Sequence, residues 1–194
     1  MCIRDRHQDP ETAFQEHRAA RRITEHLTRH GIEAQSPAFG LDTAVHAEVS
    51  SEDFDTRSHR TIAVMSEYDA LPGIGHGCGH NVIAVTGLGA FVALAELLRE
   101  DPGAFSGRVV YLGTPAEEGE GGKEIMARNG ALEGIDAAAM VHPYMTDLVD
   151  QVWLGRRQCE VTFHGRASHA SSHPFMGRNA LDGAVLAYQG LGLL

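Results

Sequence analysis

The chain alternates apolar segments of strand length with segments of helical length, and this alternation constrains the fold more than any other feature. A short apolar run, Thr61–Met65, precedes an apolar stretch, Val82–Leu98, that is too long for a strand. Further along, Val109–Leu112 and Ala137–Val141 resemble strands and Lys123–Asn129 resembles a short helix. Such alternation is typical of a sheet covered by helices, with the connecting loops on one edge. The sequence therefore predicts an α/β fold.

The segment before this region predicts two more elements. Pro10 precedes a segment of helical pattern and Gly31 follows it, as is common at the two ends of a helix, which indicates a surface helix over Glu11–His30. Alternating polarity predicts a strand over Ala44–Val49. The first six residues match no predicted element.

The character of the chain changes after about Asp150. A strand-like segment, Gln158–His164, is followed by a helix that begins near Asn179 and runs to the last residue. We therefore expect residues 1–150 to belong to one domain and residues 151–194 to the start of a second, incomplete domain.

Composition excludes several classes of protein. The 26 acidic and 16 basic residues give a formal charge of -10, which opposes nucleic-acid binding. No uninterrupted apolar run approaches the roughly 20 residues that cross a bilayer, so no membrane partner is expected. The three cysteines are far apart and follow no apolar leader, which favours a reducing cytoplasm.

Cys78 and His80 lie two residues apart in a Gly-rich loop that leads to Asn81, the predicted N-cap of the long helix. Thiolate and imidazole are ligands that suit zinc and neighbouring metals. A helix N-terminus at Asn81 would lower the pKa of the thiol and favour its ligating form. The alternative is a buried free cysteine beside a loop histidine.

Two more strand ends carry groups of the same chemical kind. Glu117 and Glu118 follow the strand Val109–Leu112, and His142 ends the strand Ala137–Val141. Binding residues of open α/β sheets lie at this carboxyl edge. One glutamate could ligate a metal while the other takes a proton from water. A solvated acidic loop and a histidine that caps the core are the structural alternatives.

Four sequence blocks, taken in order, resemble a known family. EYDALPG, CGHN, PAEEG and SHASSHPFMGRNA run from about residue 62 to 181. They are similar to the zinc aminoacylase/carboxypeptidase metallopeptidases, in particular the auxin-conjugate and p-aminobenzoyl-glutamate hydrolase branch and its dipeptidase-like members. The resemblance implies a three-layer α/β/α catalytic domain with an inserted α+β lid, here truncated. The implied activity is hydrolysis of an amide bond in a small N-acyl amino acid or dipeptide.

The resemblance also implies roles for individual residues. Two divalent ions, zinc first and manganese or cobalt as alternatives, would be held by Cys78, His80, Glu118 and His142, with Cys78 between them. Glu117 would be the general base, and Asp69 would orient a ligand.

In the lid, His169 would stabilise the oxyanion in the site of a second protomer, because the family dimerises through this domain. Family enzymes continue beyond the lid and supply a final histidine ligand. His76, His164 and His173 match no family role and are interpreted as structural.

Two other functions remain open from the sequence. The ligands could hold an ion only to stabilise the fold, although the unassigned Glu117 argues against this. Alternatively, Cys78 could be the nucleophile of a metal-free hydrolase, with His80 or His142 as its base.

Overall fold

A computed structural model describes residues 2–119, 121–149, 151–152, 154–155 and 159–194. The described chain divides into two compact units, Met1–Asp147 and Leu148–Leu194, which are treated separately below. The α/β fold predicted from the sequence is confirmed.

The first unit is a mixed five-stranded sheet with four helices, in the strand order β1-β2-β4-β3-β5. β1 and β2 pair antiparallel, as do β2 and β4, whereas β3 is parallel to both β4 and β5. In chain order its elements are α1 (Ile3–His7), α2 (His17–Arg29), β1 (Ala34–Gln35), β2 (Val45–Ser50), β3 (Thr61–Glu67), α3 (His80–Glu100), β4 (Arg108–Thr114), α4 (Gly122–Arg128) and β5 (Ala137–Ala139).

The direction of the crossovers reverses at β3. The chain passes from β3 through α3 to β4 on one side, and from β4 through α4 to β5 on the other. Because crossovers between parallel strands are right-handed, α3 and α4 belong on opposite faces. Such a reversal opens a crevice at the carboxyl ends of the strands, where α/β proteins bind ligands.

The core lies on both faces of the sheet. On one face α2 and α3 pack against β2 and β4 through Leu27, Leu88, Phe91 and Tyr111, which are at most 2% exposed. Val110 and Leu112 of β4 face the opposite side, where Phe39 and Ile135 cover them. Burial on both faces explains why β4 is continuously apolar instead of alternating.

Helix α3 has the length and apolarity of a membrane span. In this structure it is a core helix, with Ala84, Leu88 and Phe91 buried against the sheet. The expected absence of a membrane partner stays a prediction.

Two predictions near the amino terminus need correction. Residues 3–7 form a one-turn helix, whereas no element was expected. The helix predicted over Glu11–His30 begins only at His17. Glu11 instead lies outside the helix, where its buried carboxylate accepts hydrogen bonds from the N–H groups of Arg18 and Ala19. Free N–H groups of a first helical turn attract such an acceptor.

Two boundaries around the Gly-rich loop and β5 also differ from prediction. α3 begins at His80, and its N-cap is Gly79 with φ 90°, not Asn81. β5 covers only Ala137–Ala139 of the predicted Ala137–Val141, and its residues are exposed. It is the last strand of the sheet, so only one of its edges is paired.

The second unit contains a 3₁₀ turn, Pro174–Met176, and helix α5 (Ala180–Gly192). The helix predicted to begin near Asn179 is confirmed, and the Asn179 side chain caps it by accepting a hydrogen bond from the N–H of Leu181 at 3.1 Å. Of the predicted strand Gln158–His164, residue 158 lies outside the described residues and 159–164 form no strand. A strand requires a partner, and among the described residues this segment has none.

Candidate metal centre

Potential metal ligands gather at the carboxyl edge of the three parallel strands. Glu67 is the last residue of β3 and Asp69 follows it, while Glu117 and Glu118 follow β4 and His142 follows β5. The loop that enters α3 adds Cys78 and His80. Six of the seven predicted site residues are thus brought to one edge: Asp69, Cys78, His80, Glu117, Glu118 and His142.

His80 is the centre of this group. Its side chain is 1% exposed, and its Nδ1 lies 3.0 Å from Oδ1 and 2.9 Å from the carbonyl oxygen of Asp69. With Nδ1–H donating to Asp69, Nε2 keeps its lone pair for a ligand. Nε2 lies 3.3 Å from Oε2 of Glu67 and 3.9 Å from Oε1 of Glu118. Burial lowers the pKa of His80, but the hydrogen bond and charge of Asp69 outweigh it and leave the pKa raised.

The loop geometry that places His80 requires glycine at position 79. Gly79 adopts φ 90°, and a Cβ there would lie 2.9 Å from Cγ of Pro143. The left-handed conformation is costly for any other residue, and the contact leaves no space for a side chain. Gly79 therefore turns the chain sharply enough for His80 to begin α3.

Asp69 connects two parts of the site. It is 1% exposed; its Oδ1 accepts from His80, and its Oδ2 accepts the N–H of Glu118 at 2.8 Å. Burial alone would raise the pKa of Asp69, but these hydrogen bonds outweigh it and lower the pKa. Asp69 thus holds a candidate ligand ring and a backbone segment in one arrangement, as a residue that orients ligands must.

Cys78 and His142 form the other side of the centre. Sγ of Cys78 lies 3.9 Å from Nε2 of His142, while Nδ1 of His142 is 2.8 Å from the carbonyl oxygen of Pro143. The expected lowering of the thiol pKa is wrong: burial, followed by the charge of Glu118, raises the pKa of Cys78 to about 11. Burial and the nearby carboxylates thus outweigh any effect of the helix N-terminus on the thiol, whereas a bound dication would favour the thiolate.

Glu117 and Glu118 differ in their surroundings. The Glu117 side chain is 43% exposed and that of Glu118 is 18% exposed. Burial and the charge of Glu67 raise the pKa of Glu117, against the effect of Lys123. A carboxyl group that is accessible and more basic than usual suits proton transfer.

The arrangement of donor atoms fits divalent metal ions. There are two sets of possible ligand atoms, and within each set all atoms lie within 4.8 Å of one another. One set comes from Cys78, His80 and His142, and the other from Glu67, His80 and Glu117. Oε2 of Glu67, Nε2 of His80 and Oε1 of Glu118 are buried without a hydrogen-bond partner. Buried polar atoms are nearly always partnered, so three unpartnered ligand atoms at one point fit a binding site for a cation.

Glu67 is a candidate site residue that the sequence analysis did not assign. It is 2% exposed, and its Oε1 contacts Nζ of Lys123 in the first turn of α4. The sequence showed a carboxylate at a strand end but not its lysine partner, 56 residues away. Glu67 shares a donor set with Glu117, whereas the sequence predicted Glu118 as the ligand. The division of roles between the two glutamates stays a prediction.

His169 lies in the second unit, where its Nδ1 accepts from the N–H groups of Ser171 and Ser172. Its assigned role concerns a second protomer and stays a prediction. His164 and His173 are exposed in the same unit. His76 is 8% exposed in the loop before Cys78, and neither ring nitrogen has a hydrogen-bond partner.

Comparison with known proteins identifies the family. The sequence profile of peptidase family M20/M25/M40 matches residues 63–188. The chain belongs to this family. The resemblance inferred from the four sequence blocks is confirmed. This M20/M25/M40 chain is 39% identical over 95% of its length to mouse Xaa-Arg dipeptidase. It is 31% identical, again over 95% of its length, to one of the p-aminobenzoyl-glutamate hydrolase polypeptides of Escherichia coli.

Two solved structures share the fold. The Bacillus subtilis YxeP protein, a dinuclear metal-binding peptidase of the M20 family, matches 70% of the chain with a TM-score of 0.59 and 28% identity. A protein from methicillin resistant Staphylococcus aureus matches 98% with a TM-score of 0.65 and 26% identity. The match covers 39% and 55% of those chains, and 44% and 40% of the mouse and E. coli relatives.

Proposed function

We propose that a protein carrying this chain hydrolyses an amide bond in a small dipeptide or N-acyl amino acid, with two divalent metal ions as cofactors. The observation that carries the proposal is the convergence of three orphaned buried atoms, on Glu67, His80 and Glu118, at the carboxyl edge of the sheet. Relatives named as a dipeptidase, a p-aminobenzoyl-glutamate hydrolase and an N-acetyl-L-cysteine deacetylase support the substrate class. Zinc is the first choice of metal because thiolate and imidazole are among the donors; manganese and cobalt are alternatives.

Bound divalent ions supply Lewis-acid polarisation of the amide carbonyl and lower the pKa of water. Cys78, His80, Glu118 and His142 would hold the ions, with Asp69 fixing the ring of His80. Glu117 would accept a proton from the attacking water and deliver it to the leaving amine.

His169 completes the proposal from the second unit. In a full-length homodimer, its imidazole would stabilise the oxyanion in the partner's site. We place the protein in the cytoplasm, which agrees with three free cysteines at positions 2, 78 and 159.

A metal-free cysteine hydrolase has less support. A thiol whose pKa is raised to about 11 is almost entirely protonated at neutral pH, and so Cys78 is a poor nucleophile without a cation. Hydrolysis that persists in excess chelator would favour this alternative.

The deciding experiment uses the full-length protein. Metal content per chain is measured by mass spectrometry, and hydrolysis of Xaa-Arg dipeptides and N-acyl amino acids is assayed with and without chelator. We expect about two ions per chain and chelator-sensitive turnover. Metal without turnover on any amide would favour a structural metal site.

The role of Glu117 is tested in the same protein. Glu117→Gln removes the proton acceptor but keeps the shape, so kcat should fall by about 10²–10⁴-fold with unchanged metal content. Glu124→Gln is a matched control, because Glu124 lies on α4 with a side chain 66% exposed. Equal turnover in the two variants would remove Glu117 from the mechanism.

A further inference from the structure

Glu16, the N-cap residue of α2, is a buried carboxylate that the proposed mechanism does not use. It is 0% exposed, and both of its oxygens are engaged. Oε1 accepts the N–H of Ala116 at 2.8 Å, and Oε2 accepts from Oγ1 of Thr43 at 2.9 Å. A buried charge is retained only where such partners compensate its desolvation. One of those partners is the backbone immediately before Glu117.

Ala116 adopts a conformation that needs external support. Its φ of 58° is left-handed, which a residue with a Cβ rarely adopts. Its carbonyl oxygen accepts the N–H of Gly122 at 3.0 Å. Gly122 itself is packed so closely that a Cβ would lie 1.9 Å from the carbonyl oxygen of Pro115. The turn is therefore strained and closely packed, and such turns persist only where their surroundings hold them.

A second buried carboxylate holds the other side of Glu117. Oδ2 of Asp69 accepts the N–H of Glu118 at 2.8 Å. The backbone N–H groups before and after Glu117 are thus each bound by a carboxylate that is at most 1% exposed. Glu117 therefore lies between two backbone positions that are each held by a buried carboxylate.

Glu16, which accepts the hydrogen bond from the Ala116 N–H, lies at a rigid part of the fold. Glu16 begins α2, whose Ile23 and Leu27 are fully buried in the core. A carboxylate mounted on the core can fix the position of a loop, whereas one mounted on another loop would move with it.

We propose that Glu16 is a positioning residue for Glu117: by binding the Ala116 N–H it holds the left-handed turn that directs the Glu117 carboxylate to the metal centre. The inference rests on the proposed function for the role of Glu117, but the hydrogen bond itself can be tested without turnover.

The test compares two substitutions in the full-length, metal-loaded protein. Glu16→Leu removes the acceptor. Glu16→Gln keeps an oxygen for Ala116 and turns its amide toward Oγ1 of Thr43, which can accept. We expect Glu16→Leu to lower kcat by about 10²-fold with KM and metal content nearly unchanged, because a small misplacement of a catalytic group has this effect. Glu16→Gln should restore most of kcat.

Hydrogen exchange at the Ala116 amide supplies a readout that is independent of catalysis. Exchange should accelerate strongly in Glu16→Leu and weakly in Glu16→Gln, where a neutral acceptor replaces a charged one. Thr43→Val is the matched control, because it removes the other partner of Glu16 and should leave the Ala116 amide protected.

The outcomes separate the two proposals. If Glu16→Leu does not fold, the weak acceleration of Ala116 exchange in Glu16→Gln and its absence in Thr43→Val decide the question. An Ala116 amide that exchanges equally in all variants, or an unchanged kcat in Glu16→Leu, overturns the role of Glu16. A lack of any hydrolysis by the unsubstituted protein contradicts the proposed function, and the amide measurement still decides whether Glu16 holds the turn.

Discussion

At the scale of single residues, the centre contains an ion pair whose members differ in exposure. Glu67 has a side chain 3% exposed, whereas that of its partner Lys123 is 32% exposed. The other carboxylate oxygen of Glu67 lies 3.3 Å from Nε2 of His80. Removing one partner of a buried pair leaves the other charge without compensation, which costs more than the intact pair contributes.

This pair gives a prediction for the metal-free protein. Lys123→Met should lower the free energy of unfolding by about 2 kcal/mol, below the value for fully buried pairs because Lys123 is partly solvated. The double variant Glu67→Gln/Lys123→Met should recover most of this loss. Urea unfolding of the two single variants and the double variant measures the coupling. Additive effects in the three variants would show that the two side chains do not interact energetically.

Sequence reasoning at this scale predicted most of the site residues at the carboxyl edge of the sheet, but not the charge interactions among them. The rule that parallel strands end together brought Cys78, Glu117 and His142 into one site. It missed Glu67, because its burial and its lysine partner depend on the packing of distant segments. It also gave the wrong direction for the pKa of Cys78, because neither the burial of the thiol nor its distances to neighbouring carboxylates can be derived from sequence spacing.

At the scale of elements, α3 lies so close to β3 that one glycine in the helix has no space for a side chain. A Cβ on Gly87 would lie 2.2 Å from Oγ of Ser66 and 2.7 Å from the carbonyl oxygen of Met65. Gly89, two residues further along the same helix, has nothing within 4 Å of such a Cβ. Substitutions at the two glycines therefore distinguish the effect of close packing from the effect of helix propensity.

We predict effects of opposite sign at these positions. Gly87→Ala should destabilise the protein by about 1–3 kcal/mol, because β3 must move to admit the methyl group. Gly89→Ala should stabilise it by about 0.5–1 kcal/mol, since alanine is the better helix former. Chemical denaturation of both variants provides the comparison. A stabilising Gly87→Ala substitution would contradict the close packing of α3 on β3.

Element prediction succeeded where a segment depends mainly on its own sequence. The position and type of α3, β3 and β4 follow from apolar runs in their own sequences. Such runs are buried regardless of which segments pack against them. β5 and residues 159–164 show the limit, because the burial or existence of a strand depends on what lies beside it. β1, with two residues, carries too little sequence to give a pattern.

At the scale of the whole molecule, the core belongs to one of the two units. All three buried apolar clusters draw their members from Met1–Asp147. In Leu148–Leu194 large apolar side chains are exposed, among them Leu154 at 92%, Tyr188 at 82% and Leu193 at 89%. A unit without a buried cluster among its described residues contributes little cooperative stability.

We therefore predict that a chain ending at Asp147 unfolds within a few degrees of the 194-residue chain, because it retains the core. Differential scanning calorimetry of the two chains measures this. The shorter chain should also bind less of a dye specific for exposed apolar surface. Loss of the cooperative transition on truncation would show that the second unit supports the first.

The hydrogen bonds that hold His80 and Glu118 to Asp69 are made entirely by protein groups. The donor atoms therefore reach their places when the chain folds, not when an ion arrives. We expect a protein built in this way to resist cellular proteases in both its loaded and its empty form, because resistance follows stability. Under the proposed function, its abundance and its activity would then be separate quantities: synthesis would set the first, and the supply of metal the second.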